Sequence, residues 1–492
     1  MSDTGAHQFA PSTVPRPSIS SGLGRRASIA ASVRSHTSPS TRNLRDNESL
    51  IGGNYESEEA EEEEQGLAMF TYNFWAPELA QLRKSYLIPV ALTTLLMCIA
   101  VWLFFSLYWA SLYKVNERAP NVDGWIINRD NNIIGNAIEN ALLESTRSGK
   151  ALTWKVRDPK LNPDVRSIRD AVDPGYKTWV VIEIKEGVSE SLKRAQRNAD
   201  SSWDPSSVMS MYYSDSRSYQ AYPGTIVQPT LKTVNNAALN VSRSIAQELA
   251  RSDASALANA LNTAPHTIIG SVSLNPINMR PWNNPVAIAP TFVGMIYLLI
   301  LAFQVTMASF MSRQGIKTHL KFWSYLCMRF CTPAVAYIFI SLMITLLNVA
   351  FELPYGAALP YGGGFMTWWC LSYTGMLVCG LTLESIITVI GPKFIGIFLI
   401  FFIISNVSVS NYPPALMNRF FQYGYAMPFY NMRQVFTTIL FNTGSHVEIL
   451  KYFGILWAWI ALIMLTMPIF IWLDYNRVRK SRLHGDGTAK SH

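Results

Sequence analysis

No cysteine occurs between residues 114 and 284, although that stretch is polar enough to make a soluble domain. The five cysteines, Cys98, Cys327, Cys331, Cys370 and Cys379, all lie in apolar runs. A domain built from 114–284 must therefore fold without disulfides, whatever its compartment. Cys327 and Cys331, one helical turn apart, read as packing residues rather than metal or redox groups. The chain also lacks Gly-x-x-x-x-Gly-Lys-Ser/Thr, which excludes a recognisable ATPase of its own. There is no His-Glu-x-x-His, no Gly-x-Ser-x-Gly and no Cys-x-x-Cys, and the seven histidines are scattered. The expectation is a protein that is not an enzyme and carries no metal or other cofactor. Charge is sparse as well: 15% of residues against 49% hydrophobic ones, which fits a chain lying largely in a bilayer. Much of the net charge of +8 comes from Lys and Arg flanking apolar runs and from the basic C-terminal tail. Its natural partner is anionic lipid, not nucleic acid. No cleavable signal peptide is visible in the polar N-terminus.

What is present is apolar sequence in long runs. A spanning helix needs roughly 20 apolar residues, because each adds only about 1.5 Å across a core about 30 Å thick. Runs at 285–311, 322–351, 365–390 and 450–473 meet that length, and 394–407 meets it only if its ends extend. A further run, 87–113, stands apart and would act as an uncleaved signal anchor. The fold class expected is an α-helical polytopic membrane protein with six transmembrane helices in a one-plus-five arrangement. An extracytoplasmic α/β domain lies between helices one and two.

Taken in order, residues 1–65 are Ser, Thr, Pro and Arg-rich and end in an acidic run with seven Glu in the nine positions from Glu56 to Glu64. Like charges at that density repel, so this reads as a disordered cytosolic tail. Ser28 follows Arg25-Arg26-Ala27 and Ser38 precedes Pro39, which makes both candidate phosphorylation sites, although a Ser-rich tail produces such matches by chance. The aromatic stretch Ala68 to Pro77 favours the head-group region, so 66–113 reads as an interfacial segment followed by the first helix. The domain 114–284 alternates strand patterns (124–127, 177–184 and 267–273) with helical ones (137–143, 165–172, 188–199 and 231–261). Within it Asn240-Val241-Ser242 is a glycosylation acceptor, as suits an outward-facing domain. Asn406-Val407-Ser408 matches the same pattern too close to a membrane boundary to be a good substrate. The membrane domain is 285–473 and a basic cytosolic tail 474–492. Arg313, Lys317, Lys321 and Lys393 fall in the same set of connections, whereas 352–364 has no Lys or Arg. The positive-inside rule then places both termini in the cytosol.

Two ionisable residues sit within the apolar runs. Arg329 lies eight residues past Lys321 and Glu384 nine before Lys393. Both would be roughly 12–14 Å from the basic edge. The runs holding them are joined by a short outer connection, so the two charges can meet. An unpaired charge at mid-span costs on the order of 2.5–3.5 kcal/mol, so a partner or water is expected. The arrangement reads either as an intramembrane polar site on a substrate path or as a structural ion pair. The aromatic, Gly/Pro-rich stretch 406–428 reads either as a re-entrant element capping the bundle or as an ordinary aromatic belt.

Gly380-Leu381-Thr382-Leu383-Glu384, Asn406-Val407-Ser408, the run Phe421 to Pro428 and Ile439-Leu440-Phe441 resemble the fungal nitrosoguanidine-resistance membrane protein family, a domain of unknown function, over residues 85–475. More distantly the layout is similar to ABC-2-type exporter permeases and the phage-infection-protein group, whose outer domain opens much as Ile127-Asn128-Arg129-Asp130-Asn131 leads into Gly135. The resemblance implies drug or mutagen resistance at the fungal cell surface, with a plasma-membrane or other secretory-pathway location, and supplies no catalytic residues. Two functions follow. One is permease-like export or exclusion of amphipathic compounds or lipids, driven by a partner protein or a gradient. The other is a membrane-organising, lipid-responsive signalling scaffold. Membrane lipids, a second copy of the chain or a separate protein are the partners expected.

Overall fold

The computed structural model describes residues 73–149, 151–316 and 319–489, with side chains described as far as 476. Ser28, Ser38, the acidic run, the start of the interfacial segment, Lys317 and the end of the basic tail lie outside the described residues. The described residues divide into two units, on either side of the Ile88–Pro89 bond. In the first, Arg83 donates to the carbonyls of Phe74 and Ala76 (3.0 and 3.2 Å) and lies over the Trp75 ring.

The second unit contains a five-stranded sheet. Its strands are β1 (Asp123–Asn128), β2 (Thr153–Val156), β3 (Val180–Ile184), β4 (Met209–Tyr213) and β5 (Leu274–Asn278), in the order β2-β1-β3-β4-β5. β1 pairs in parallel with β2 and β3, β3 is antiparallel to β4, and β4 is parallel to β5. Every residue of β3 is buried, which is why it reads as a continuous apolar run instead of an alternating one. Ile126, Ile182 and Met211 share a core with α2 (Ile133–Arg147) and α5 (Gln228–Ser252). Their neighbours Ile127, Val181 and Tyr212 point the other way, onto α3 (Val165–Val172).

The turn after β1 explains Asn128 to Asn131. Asn128 Oδ1 accepts from the amides of Asp130 and Asn131, both at 3.1 Å. Asp130 then accepts from Ser189 N (3.0 Å), Ser189 Oγ (2.5 Å) and Gly135 N (3.2 Å), in the first turns of α4 (Val188–Arg197) and α2. The strand order reverses between β1 and β3, where α/β sheets commonly hold anionic ligands. Here the chain's own carboxylate fills that position.

Two expectations for this domain are corrected. The strand expected at 267–273 is instead β5: Gly270, at φ +68°, interrupts the extended run. Pro276 sits within β5, which is tolerable at a sheet edge because no ladder bond needs its missing N–H. The helix expected over 231–261 is two, α5 and α6 (Ala254–Thr263), separated at Asp253, whose side chain caps α6 by accepting from Ala256 N at 2.9 Å. β2 and β4 were not expected. β2 is an edge strand of only four residues, too short for its pattern to register, and β4 reads Met-Ser-Met-Tyr-Tyr, without a β-branched residue.

Among the described residues, five helices are long and apolar enough to cross a bilayer: α1 (Pro77–Leu112), α7 (Pro285–Arg313), α8 (Phe322–Ala350), α9 (Tyr361–Ile390) and α12 (His446–Asn476, continuing helically to Ala489). The run at 394–407 becomes α10 (Ile395–Ser410), whose 16 residues fall short of a span of roughly 20. A helix not anticipated, α11 (Pro428–Phe441), is buried on nearly every face. α9 is the axis: 67% of its apolar window is buried, against 6% for α1. Between α10 and α11 the chain folds into short 3-10 turns, Pro414–Leu416 and Arg419–Ala426. These turns cap the end of α10. Phe421 packs on Val409, and Tyr423 donates to the Ser405 carbonyl at 3.1 Å, while Phe420 and Tyr425 stay exposed.

The sheet domain is seated firmly on this block. Leu416 is a fully buried member of the domain's own core. Asn121 donates to the Ala415 carbonyl (3.1 Å), Tyr412 to that of Gln220 (3.3 Å), and Gly444 N to Asp173 Oδ1 (2.7 Å). The Trp282 ring lies 4.4 Å from that of Phe441.

Candidate functional site

Three helices meet at one buried carboxylate. Glu384 sits in the last third of α9, Arg329 in the second turn of α8, and Arg313 is the final residue of α7. Arg329 Nε donates to Glu384 Oε1 at 2.7 Å, and its Nη2 donates to the Glu384 carbonyl at 2.9 Å and to the Thr388 hydroxyl. Arg313 Nη1 donates to the same Glu384 Oε1. The side chains of Arg329 and Glu384 are each 1% exposed and that of Arg313 4%, so water does not carry this charge.

The electrostatics are unbalanced. Two guanidinium groups face one carboxylate, leaving a net charge of +1, yet Glu384 Oε2 is buried without a hydrogen-bond partner. Ionised groups buried this deeply are costly unless paired, and removing one member of such a pair typically costs about 3–5 kcal/mol. The Phe310 and Tyr325 rings lie 5.1 and 5.5 Å from Arg313 and Arg329, close enough for weak cation–π attraction that offsets part of the excess.

Local sequence explains how α8 and α9 approach so closely. Gly380, one turn before Glu384, faces Tyr337 of α8, and Tyr337 Oη passes on to donate to the Ala302 carbonyl of α7 at 3.3 Å. Sequence reasoning singled out Glu384 and Arg329, and the structure brings them into contact. It missed Arg313, because an arginine just past an apolar run is ordinarily read as a head-group anchor. It also gave no role to Arg433, which is buried in α11.

The remaining sites lie apart. Asn240 is exposed on α5, whereas Ser242 of its motif is buried and bonded to Ser271 Oγ at 3.1 Å. Asn406 is fully buried; its side chain donates to the Phe402 carbonyl and accepts from Phe429 N at the start of α11. Four of the cysteines lie on exposed helix surface and Cys379 is buried.

Apolar helices of spanning length on both sides of a sheet domain define a multi-pass integral membrane protein with an α/β insertion. The chain belongs to the family described as a protein of unknown function, DUF3533, whose model matches residues 93–465. It is also similar to a Saccharomyces cerevisiae protein described as an uncharacterized endoplasmic reticulum membrane protein: 24% identical over 425 residues, covering 80% of this chain and 82% of the yeast protein. No solved structure matches.

Proposed function

We propose that this protein is a permease-like membrane protein of the nitrosoguanidine-resistance type, which exports or excludes amphipathic compounds or lipids. Of the six expected spans, α10 is taken as the sixth, supported by neighbouring turns in place of full length. The carrying observation is the Arg313–Glu384–Arg329 cluster. A stability role alone would favour balanced charge, whereas an excess cation beside a free carboxylate oxygen suits a centre that changes partners during a cycle. The yeast relative's name supports residence in the endoplasmic reticulum membrane over the plasma membrane expected from the resemblance.

The test is uptake and efflux of a labelled alkylating agent and of fluorescent phospholipids, in cells with and without the protein. Loss of the protein is expected to raise accumulation, and Glu384→Gln, with flux compared per folded molecule in the membrane, should reproduce that loss. Unchanged flux in both would defeat the export reading.

The tight sealing of the cluster favours a second reading, a lipid-responsive scaffold in which these charges only hold three helices together. Deleting residues 1–65 separates the two. A scaffold that recruits partners through its tail loses its cellular effect, whereas a permease core keeps it.

A further inference from the structure

Arg433 is the one strongly buried cation among the described residues with no carboxylate within salt-bridge distance. It lies where the sheet domain meets the membrane block. Its Nη1 donates to the carbonyls of Ser410 and Asn411 (3.0 Å for the latter), at the end of α10. Those carbonyls lie at the negative end of the α10 dipole, which amounts to only about half a charge. The other terminal nitrogen, Nη2, is buried with no acceptor at all.

The surroundings repeat that deficit. Asn411 Oδ1 is buried and unbonded beside the carbonyl that Arg433 engages. The Tyr219 ring stands 5.8 Å from the guanidinium carbon, and its hydroxyl accepts from Gln220 Nε2 at 3.0 Å, while Gln220 Oε1 is buried and unbonded. One orphan donor on a full positive charge thus lies in a neighbourhood holding two orphan acceptors. Water can satisfy the hydrogen bonds but not the charge. Tyr219 and Gln220, beside this buried group, each keep partial exposure.

We propose that this junction binds a phosphate group that also carries O–H donors: its anionic oxygens would meet Arg433, and its hydroxyls would meet the carbonyl oxygens of Asn411 and Gln220. Two sources share that chemistry, the inositol phosphate headgroup of a lipid and free inorganic phosphate. The site is separate from the Glu384 cluster and does not rest on the export reading.

The test uses the purified full-length protein in nanodiscs. One arm measures retention of phosphatidylinositol by native mass spectrometry, with phosphatidylcholine as the competitor. The other measures radiolabelled inorganic phosphate bound in phosphatidylcholine nanodiscs. Arg433→Lys, which keeps the charge but loses the planar fork, should weaken binding about tenfold. Gln220→Leu, at a partly exposed position, should weaken it several-fold at an unchanged unfolding midpoint. Binding in the first arm alone identifies a headgroup, and in the second alone a free anion. No binding in either arm, or binding that neither substitution alters, overturns the proposal. If Arg433→Lys does not fold, Gln220→Leu decides.

Discussion

A Cβ placed on Gly380 would stand 1.9 Å from the hydroxyl oxygen of Tyr337 and 2.5 Å from its ring carbon Cζ. The two residues belong to α9 and α8, and the contact sets how closely those helices approach. It lies one turn from Glu384, so the spacing of the backbones and the meeting of the charges are one geometric fact.

Gly380→Ala should therefore lower stability by about 1–3 kcal/mol, the usual cost of overpacking. Thermal unfolding in detergent would measure it. Tyr337→Leu in the same chain is expected to recover part of the loss, because it removes the atoms that collide.

Within the charge cluster the two arginines are unequal. Arg329 serves the Glu384 carboxylate, its carbonyl and Thr388, whereas Arg313 has the carboxylate alone. Arg329→Met should cost about 3–5 kcal/mol, and Arg313→Met clearly less because it also removes the excess charge. Glu384→Gln leaves two unpaired cations, and adding Arg313→Met to it should recover part of the folded yield, read by size-exclusion monodispersity, because Arg329 alone then lacks its carboxylate.

Asp173 supplies a pH dependence outside the membrane-spanning helices. Burial raises its carboxyl above the ordinary value of 3.8, more than the bonds from Gly444 N and Ser214 and the charge of Arg280 lower it. A raised carboxyl favours the folded state below the unfolded value, and that contribution is lost as pH rises through the folded one. Asp173→Asn stays neutral throughout, so its stability relative to the wild type should improve as pH climbs across that window. Unfolding midpoints measured from mildly acidic to neutral pH would record the convergence or crossing; Asp215, raised by burial in the same way, remains in both chains.

Asn240 is expected to carry a glycan that an endoglycosidase removes and that Asn240→Gln abolishes on a gel. Asn406→Gln should leave the shift intact but weaken folding, since its side chain holds the first turn of α11.

The membrane block was legible because run length is a nearly local property: α7, α8 and α9 begin or end within a few residues of their apolar boundaries. The pairing of Glu384 with Arg329 was legible for a different reason, their equal distance from a basic edge. Arg313 was not, because whether a terminal arginine turns toward lipid head groups or back to α9 depends on packing that its neighbours in sequence do not encode. The same holds for α11, whose apolar face has no period because it is buried nearly all round. In the sheet domain, β3 announced itself through four β-branched residues, while β5 was hidden by Pro276 and displaced by the more strand-like sequence just before it.

Leu416 has a consequence for the order in which the molecule is made. It fills the core of a domain whose last strand, β5, ends at Asn278, and Gly444 ties down Asp173 later still. During synthesis the sheet domain emerges complete in sequence but lacks a core residue until α7 to α10 have followed it. The excised domain should then be soluble but unsettled, and a ribosome paused before residue 411 should hold a chain whose outer domain is still sensitive to protease. Insertion of the membrane helices and closure of the soluble core are two halves of a single assembly event.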